Sequence, residues 1–179
     1  IIFHYHMFGA TMGSLELLRC TGTSCSRLWI ASGQQQSSQS TPWAPMHLGV
    51  PAGTTSIKFV SRRGTSSTSD MAVDSVQVTP THDLFACNFT TGTNNLCGMT
   101  ATGRWVVDTG GYTPSSSTGP SAGHGGGSDH YAHIEASSSG ATTSHLVSPT
   151  LTLTPLKLPL LKLLMLNVSA LKLLLLKLD

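Results

Sequence analysis

Two histidines one residue apart, His4 and His6 in the opening stretch IIFHYHMFGATMG, are the first residues of this chain that could do chemistry. A His-x-His pair on a strand turns both imidazoles to one side, which suits a partial metal site and equally suits a half-buried sheet face. Two ligands fall short of the usual three or four. Asp129, His130 and His133, in the run HGGGSDHYAH, could add to them only if folding brings them alongside; read by itself, that run is a loop entering a strand. Asp70, Asp74, Asp83 and Asp129 are the carboxylates to weigh for a hard cation, which takes several oxygens from carboxylates and main-chain carbonyls. The plainer role for Asp70 and Asp74 is to orient loops through hydrogen bonds. Catalytic signatures are missing: there is no HExxH, G-x-S-x-G, P-loop or G-x-G-x-x-G. Gly123–Gly127 looks like an oxyanion loop, yet no nucleophile elbow accompanies it.

Four cysteines fall as two close pairs, Cys20/Cys25 and Cys87/Cys97, without the C-x2-C spacing of a zinc knuckle. Local disulfides close short loops of this kind, and they form in an oxidising compartment. The sequon Asn88-Phe89-Thr90 fits that compartment and makes Asn88 a candidate glycosylation site. The localisation expected is therefore secreted or cell-surface. With 10% charged residues, a net charge of +2 and no basic block, nucleic acid is excluded as an expected partner.

The elements that must position these residues read as β throughout. Ile2-His4-His6 and Phe3-Tyr5-Met7 are two faces of one strand, and Ser14–Leu18 begins the return. Arg27–Ile30, Met46–Leu48, Ser56–Val60 and Asp70–Val78 follow, separated by Gly, Pro and Ser turns. After a composition break at 80–82 the pattern restarts with Phe85, Cys87 and Phe89, then Trp105–Val107, Tyr131–Ala136 and His145–Leu153. No window sustains helical apolar spacing before residue 155. The fold class expected is all-β, a jelly-roll-like antiparallel β-sandwich. Trp29, Trp43 and Trp105 are expected at its core or rim.

The tail, 155–179, is different in kind. LKLPLLKL at 156–163 returns as LKLLLLKL at 171–178, and lysines 157, 162, 172 and 177 interrupt every apolar stretch. That is too short for a membrane span, and as a helix it has no single polar stripe. A Leu/Lys surface-seeking peptide is one reading; the favoured one is low-complexity sequence to which no function is assigned.

In the order of its landmarks the chain resembles the MAM family, the extracellular modules of meprin, neuropilin and receptor tyrosine phosphatase mu. Residues 1–79 resemble the C-terminal half of one copy, through FHYHMFGATMGSLEL, Leu28-Trp29…Ser32-Gly33, Trp43 and Asp70–Val76. Residues 83–154 resemble the N-terminal half of the next, through Cys87-Asn88-Phe89 with Cys97, Trp105, Thr113-Pro114…Gly119-Pro120, Asp129-His130-Tyr131, Glu135-Ala136-Ser137 and Leu146–Pro149. The chain thus looks like a fragment of a tandem array, joined at 80–82 and cut in mid-domain. His4 stands where the family has Trp, Thr90 where it commonly has an acid, and Cys20/Cys25 are extra. The resemblance implies that Cys87 and Cys97 pair. It further implies structural calcium near Asp74 and Asp129, with Asp83 a third candidate, and no required cofactor. Half a sandwich exposes unpaired edges and a bare face. The expectation is that the two halves close as one circularly permuted MAM-like domain over 1–153.

The function implied is a non-catalytic extracellular adhesion or protein-interaction module of a multi-domain surface or secreted glycoprotein. Its partners would be other proteins, including homophilic or oligomeric contacts, and any membrane attachment would come from outside this fragment. The alternatives are an accessory domain of an extracellular enzyme such as a metalloprotease, or a carbohydrate-binding jelly roll.

Overall fold

The computed structural model describes residues 1–79, 85–90, 95–107, 113, 115–137 and 140–153. The linker at 80–82, the candidate ligand Asp83 and the tail 155–179 lie outside the described residues. Six strands come from the first segment: β1 (Ile2–His6), β2 (Ser14–Thr21), β3 (Ser24–Ser32), β4 (Ala44–His47), β5 (Ser56–Arg62) and β6 (Ala72–Val78). Five come from the second: β7 (Phe85–Cys87), β8 (Thr100–Thr102), β9 (Trp105–Val107), β10 (Ala132–Ile134) and β11 (Thr143–Val147). Among the described residues there is no helix.

The strands form two antiparallel sheets, as a β-sandwich requires. One has the order β4-β1-β6-β10-β9, with β7 also paired to β6; the other has the order β3-β2-β5-β11-β8. Each sheet therefore takes three consecutive neighbours from residues 1–79 and completes itself with strands from the second segment. The seams are main-chain ladders. β11 pairs β5 over five residues, from Thr143 opposite Arg62 to Val147 opposite Lys58. Along β6, β10 meets Ala72 and Val73 while β7 meets Val76, Gln77 and Val78. Unpaired amides that either segment would leave at an edge are satisfied by the other.

Alternation explains what fills the interior. Phe3, Leu15, Leu17, Ile57, Phe59, Val73, Val76, Ile134 and Leu146 are buried in one cluster that draws on both segments. Phe3 lies at its centre, edge-on to Phe59 and Trp29 with ring centroids 5.1 Å and 5.4 Å away, spacings that favour aromatic pairs. Trp105 is buried, and Trp29 and Trp43 are partly buried.

Two local features set the frame. The β2–β3 hairpin turns through Gly22, whose φ of 58° suits a two-residue loop, and the Cys20–Cys25 disulfide joins residues directly opposite across it. A second disulfide joins Cys87 to Cys97. In β6 the register against β1 slips by one residue between Ile2–Gln77 and His4–Asp74. This bulge puts Ser75 at φ 49° and lets Val73 and Val76 both point inward.

Candidate functional site

The outer face of the six-stranded sheet carries most of the residues singled out from the sequence, and it is closed over β1, β6 and β10, while Val106 on β9 stays exposed. His6 and Asp74 have no exposed surface, and His133 has 2%. Asp70, just ahead of β6, is likewise fully buried. Two loops form the cover. From the first segment, Trp43 lays its ring against His6 and Tyr131, with centroids 5.7 Å and 5.5 Å away. Its Nε1 donates to the Ala122 carbonyl at 3.1 Å. From the second segment, Thr118 accepts the Asp70 N–H at 2.9 Å and donates to the Phe8 carbonyl at 3.0 Å. The Gly119 N–H meets the same Phe8 carbonyl at 2.8 Å.

The carboxylates hold main chain. Asp74 accepts the His124 N–H through Oδ2 at 2.9 Å and the Ser75 N–H through Oδ1. Asp70 accepts the Ala136 N–H through Oδ1 at 2.7 Å, reaching 66 residues along the chain. Asp129 closes its own loop, accepting the Gly125 and His130 N–H groups at 2.8 Å and 3.1 Å. Burial pushes Asp74 up to about 7; its two N–H donors oppose that shift and the nearby Asp129 charge adds to it. Burial also pushes Asp70 up to about 7, against the Ala136 N–H and with the Glu135 charge. His6 moves the other way, lowered to about 4 by burial and partly restored by the Thr41 and Ser38 main chain.

Folding brings His4, Asp74 and His124 together. His4 stacks on His124 at a centroid distance of 3.5 Å, and the Ser75 hydroxyl lies 3.2 Å from His124 Nδ1. Burial lowers the His4 pKa, with His124 and then His47 adding like charge. A serine beside a histidine beside an aspartate has the composition of a hydrolase triad, but the connections differ. Asp74 engages the main chain of His124, whereas a triad carboxylate orients the imidazole ring. The cluster clamps a glycine-rich loop onto the bulge. For a metal, Asp74 and Asp129 are neighbours, yet among the described residues no group of three or more His, Cys, Asp or Glu side chains is placed to share an ion. His4 and His6 are separated by function as well: one stacks on a loop, the other is sealed beneath Trp43.

Sequence reasoning missed the opposite face. The strands of the five-stranded sheet hold Arg19, Arg27, Lys58 and Arg62, whereas those of the six-stranded sheet contain no Arg or Lys. On the outer side, Glu16 bridges Arg27 at 3.5 Å and Arg62 at 3.2 Å. Arg62 also donates to Thr143 at 3.4 Å. His145 sits opposite Val60, diagonal to both Lys58 and Arg62. Burial lowers its pKa first, and those two cations lower it further. The alternation of Lys58, Val60 and Arg62 was visible in SIKFVSR; that Arg27 and His145 join them depends on register.

These features define a disulfide-tied, two-sheet antiparallel β-sandwich with one sealed and one open outer face. Neither a family model nor a solved structure matches the chain.

Proposed function

We propose that this chain is a non-catalytic extracellular recognition module, a MAM-like jelly-roll sandwich assembled from the C-terminal half of one copy and the N-terminal half of the next. The observation that carries the reading is the single core: strands of both segments join the same two sheets, and each supplies the neighbours the other needs. Two disulfides support an oxidising, extracellular setting. The buried acids of the six-stranded sheet act as structural clamps in this reading and its imidazoles as packing, so recognition falls to the open surfaces. Asn88, exposed at the end of β7, is the expected glycan attachment point.

The test is to secrete the chain from animal cells, confirm both disulfides by non-reducing peptide mapping, and present it on beads to cell surfaces and to itself. Cell binding or bead self-aggregation that is lost on reduction supports the module reading. Retention of unoxidised chain inside the cell, or absence of any surface or self-binding, overturns it.

A further inference from the structure

The cations gathered on the outer face of the five-stranded sheet lie outside the hydrophobic core. We propose that this face is a docking surface for a sulfated polysaccharide, contacted by Arg27, Lys58, Arg62 and His145. The proposal deepens the extracellular recognition reading and rests on it.

Charge is the first argument. Glu16 is the one carboxylate in the five strands of this sheet, and it faces three permanent cations. Two of these already share it, which leaves the patch with two net positive charges before His145 is protonated. The acids of the described second segment, Asp129 and Glu135, and those of β6 and its approach, Asp70 and Asp74, belong to the other side of the sandwich. Among the described residues, an anion approaching the five-stranded sheet therefore meets a net positive face whose one acid, Glu16, is already paired.

Geometry is the second. Lys58 and Arg62 lie four residues apart on β5 and project to the same side, about 13 Å apart at strand rise. From β3 to β11 the patch crosses three strand spacings, about 14 Å. That footprint suits several anionic groups in a row and exceeds what one phosphate needs. The guanidiniums are pre-positioned: Glu16, whose side chain is only 12% exposed, underlies both, while Arg27 and Arg62 remain 56% and 57% exposed. Such pre-organisation lowers the entropy lost when an anion is gripped by planar N–H donors.

The lining selects the class of partner. Around the cations stand hydroxyls of Thr100, Thr102 and Thr143, with Ile30 the one large exposed aliphatic of the sheet's strands. Protein hot spots want a buried aromatic anchor and membrane binding wants a protruding apolar face; this surface offers neither. Hydroxyls between cations match a polymer of sugars bearing sulfates. His145 adds a signature. The charged groups facing it are Lys58 and Arg62 on β5, with none on β8. A seated polyanion would reverse their repulsion and favour the imidazolium, so binding should tighten on acidification.

The experiment is heparin-agarose chromatography of the full secreted chain, eluted with a salt gradient. Expected is retention at low salt that falls steeply with ionic strength, since counterion release drives polyanion binding. The triple variant Arg27→Gln/Lys58→Gln/Arg62→Gln should lose retention, and Lys58→Arg should preserve it. A variant with lysines 157, 162, 172 and 177 replaced by Gln should elute where the parent does. His145→Gln should remove the gain in retention between pH 7.5 and 5.5. Retention that follows the tail lysines instead of the sheet cations overturns the proposal. So does equal, face-dependent binding to phosphatidylserine vesicles or to chemically desulfated heparin. Thermal unfolding of the triple variant at the parental temperature certifies that a loss is local. A chain that is secreted and oxidised but not retained sinks this proposal while leaving the recognition reading intact; a chain that is never oxidised sinks that reading instead.

Discussion

The two outer faces of this sandwich are built on opposite principles. Over the six-stranded sheet, Asp70, Asp74, His6 and His133 are buried under loops that cross from one segment to the other. Over the five-stranded sheet, Arg27, Lys58 and Arg62 stand in or near water with a single acid among them. Both sheets have inner faces of the same apolar kind, so the difference lies wholly in what covers them. A buried polar group must be satisfied or it costs stability, and so it ties distant chain together. An exposed cation has no such obligation and remains available to a ligand. The carboxylates on the first face are therefore clamps; the cations on the second are contacts.

The sharpest way to break this contrast is to remove a clamp. Asp74→Ala takes the acceptor from the Ser75 and His124 amides at once and frees the loop that closes the sheet. The expected loss is about 2–4 kcal/mol, because both amides are part-buried and fall in the lower half of the about 1–3 kcal/mol that each orphaned donor costs. Asp70→Ala should lose somewhat less, since one amide, that of Ala136, depends on it. Urea unfolding near pH 6 measures both. A loss below about 0.5 kcal/mol for Asp74→Ala would remove the clamp interpretation.

The pH profile is the next sharpest probe, because groups of opposite sign share the sealed face. Asp70 and Asp74 have folded values raised to about 7, above the ordinary 3.8. Between 3.8 and 7 the folded state holds more protons, so their contribution is full at low pH and lost as pH rises through about 7. His6 is lowered to about 4 from 6.5. Its contribution is full above 6.5 and lost as pH falls toward 4, because the unfolded chain then takes the proton more readily. His4 and His145, also lowered, add to the acid-side loss. Below pH 6.5 the histidines oppose the aspartates and flatten the profile; above 6.5 the aspartates act alone, so the melting temperature should fall as pH rises from 6.5 through about 7. His6→Gln should remove part of that opposition, so stability falls more steeply with pH between about 4 and 6.5 while the limb above 6.5 stays in place. A profile that rises steadily to pH 8 would contradict the direction assigned to the aspartates.

How far the sequence carried this picture depends on the range of each interaction. Strict alternation in Ile2–Met7 and Ser56–Val60 located β1 and β5. β8 escaped, because Thr100-Ala101-Thr102 has no large apolar residue and is a strand by virtue of pairing with β11. The Trp43 cover, and Gln36, which binds the Tyr5 carbonyl and Met7 amide, are likewise tertiary facts. Asp70 and Asp74 could be picked as notable acids, but their partners Ala136 and His124 lie 66 and 50 residues away and are main-chain groups, which carry no side-chain signal. The open face was invisible for the same reason. Arg27 and Arg62 are 35 positions apart and meet only because β2 lies between β3 and β5 with Glu16 in the shared row.

That shared row gives the smallest prediction and the one that best separates the two faces. Glu16→Gln breaks two ion pairs on a surface where each is exposed on its cationic side. Exposed pairs are worth about 0–1 kcal/mol, and a glutamine keeps one acceptor over the sheet, so stability should change by less than about 1 kcal/mol. Binding should move in the opposite sense from any structural damage. With the one acid gone, the face carries an uncompensated row of cations, and elution from heparin should shift to higher salt. A clamp residue cannot behave this way: on the sealed face, every loss of a carboxylate costs stability and gains nothing. If Glu16→Gln instead destabilises the chain as strongly as Asp74→Ala, then Glu16 is a clamp too, and the division between the two faces disappears.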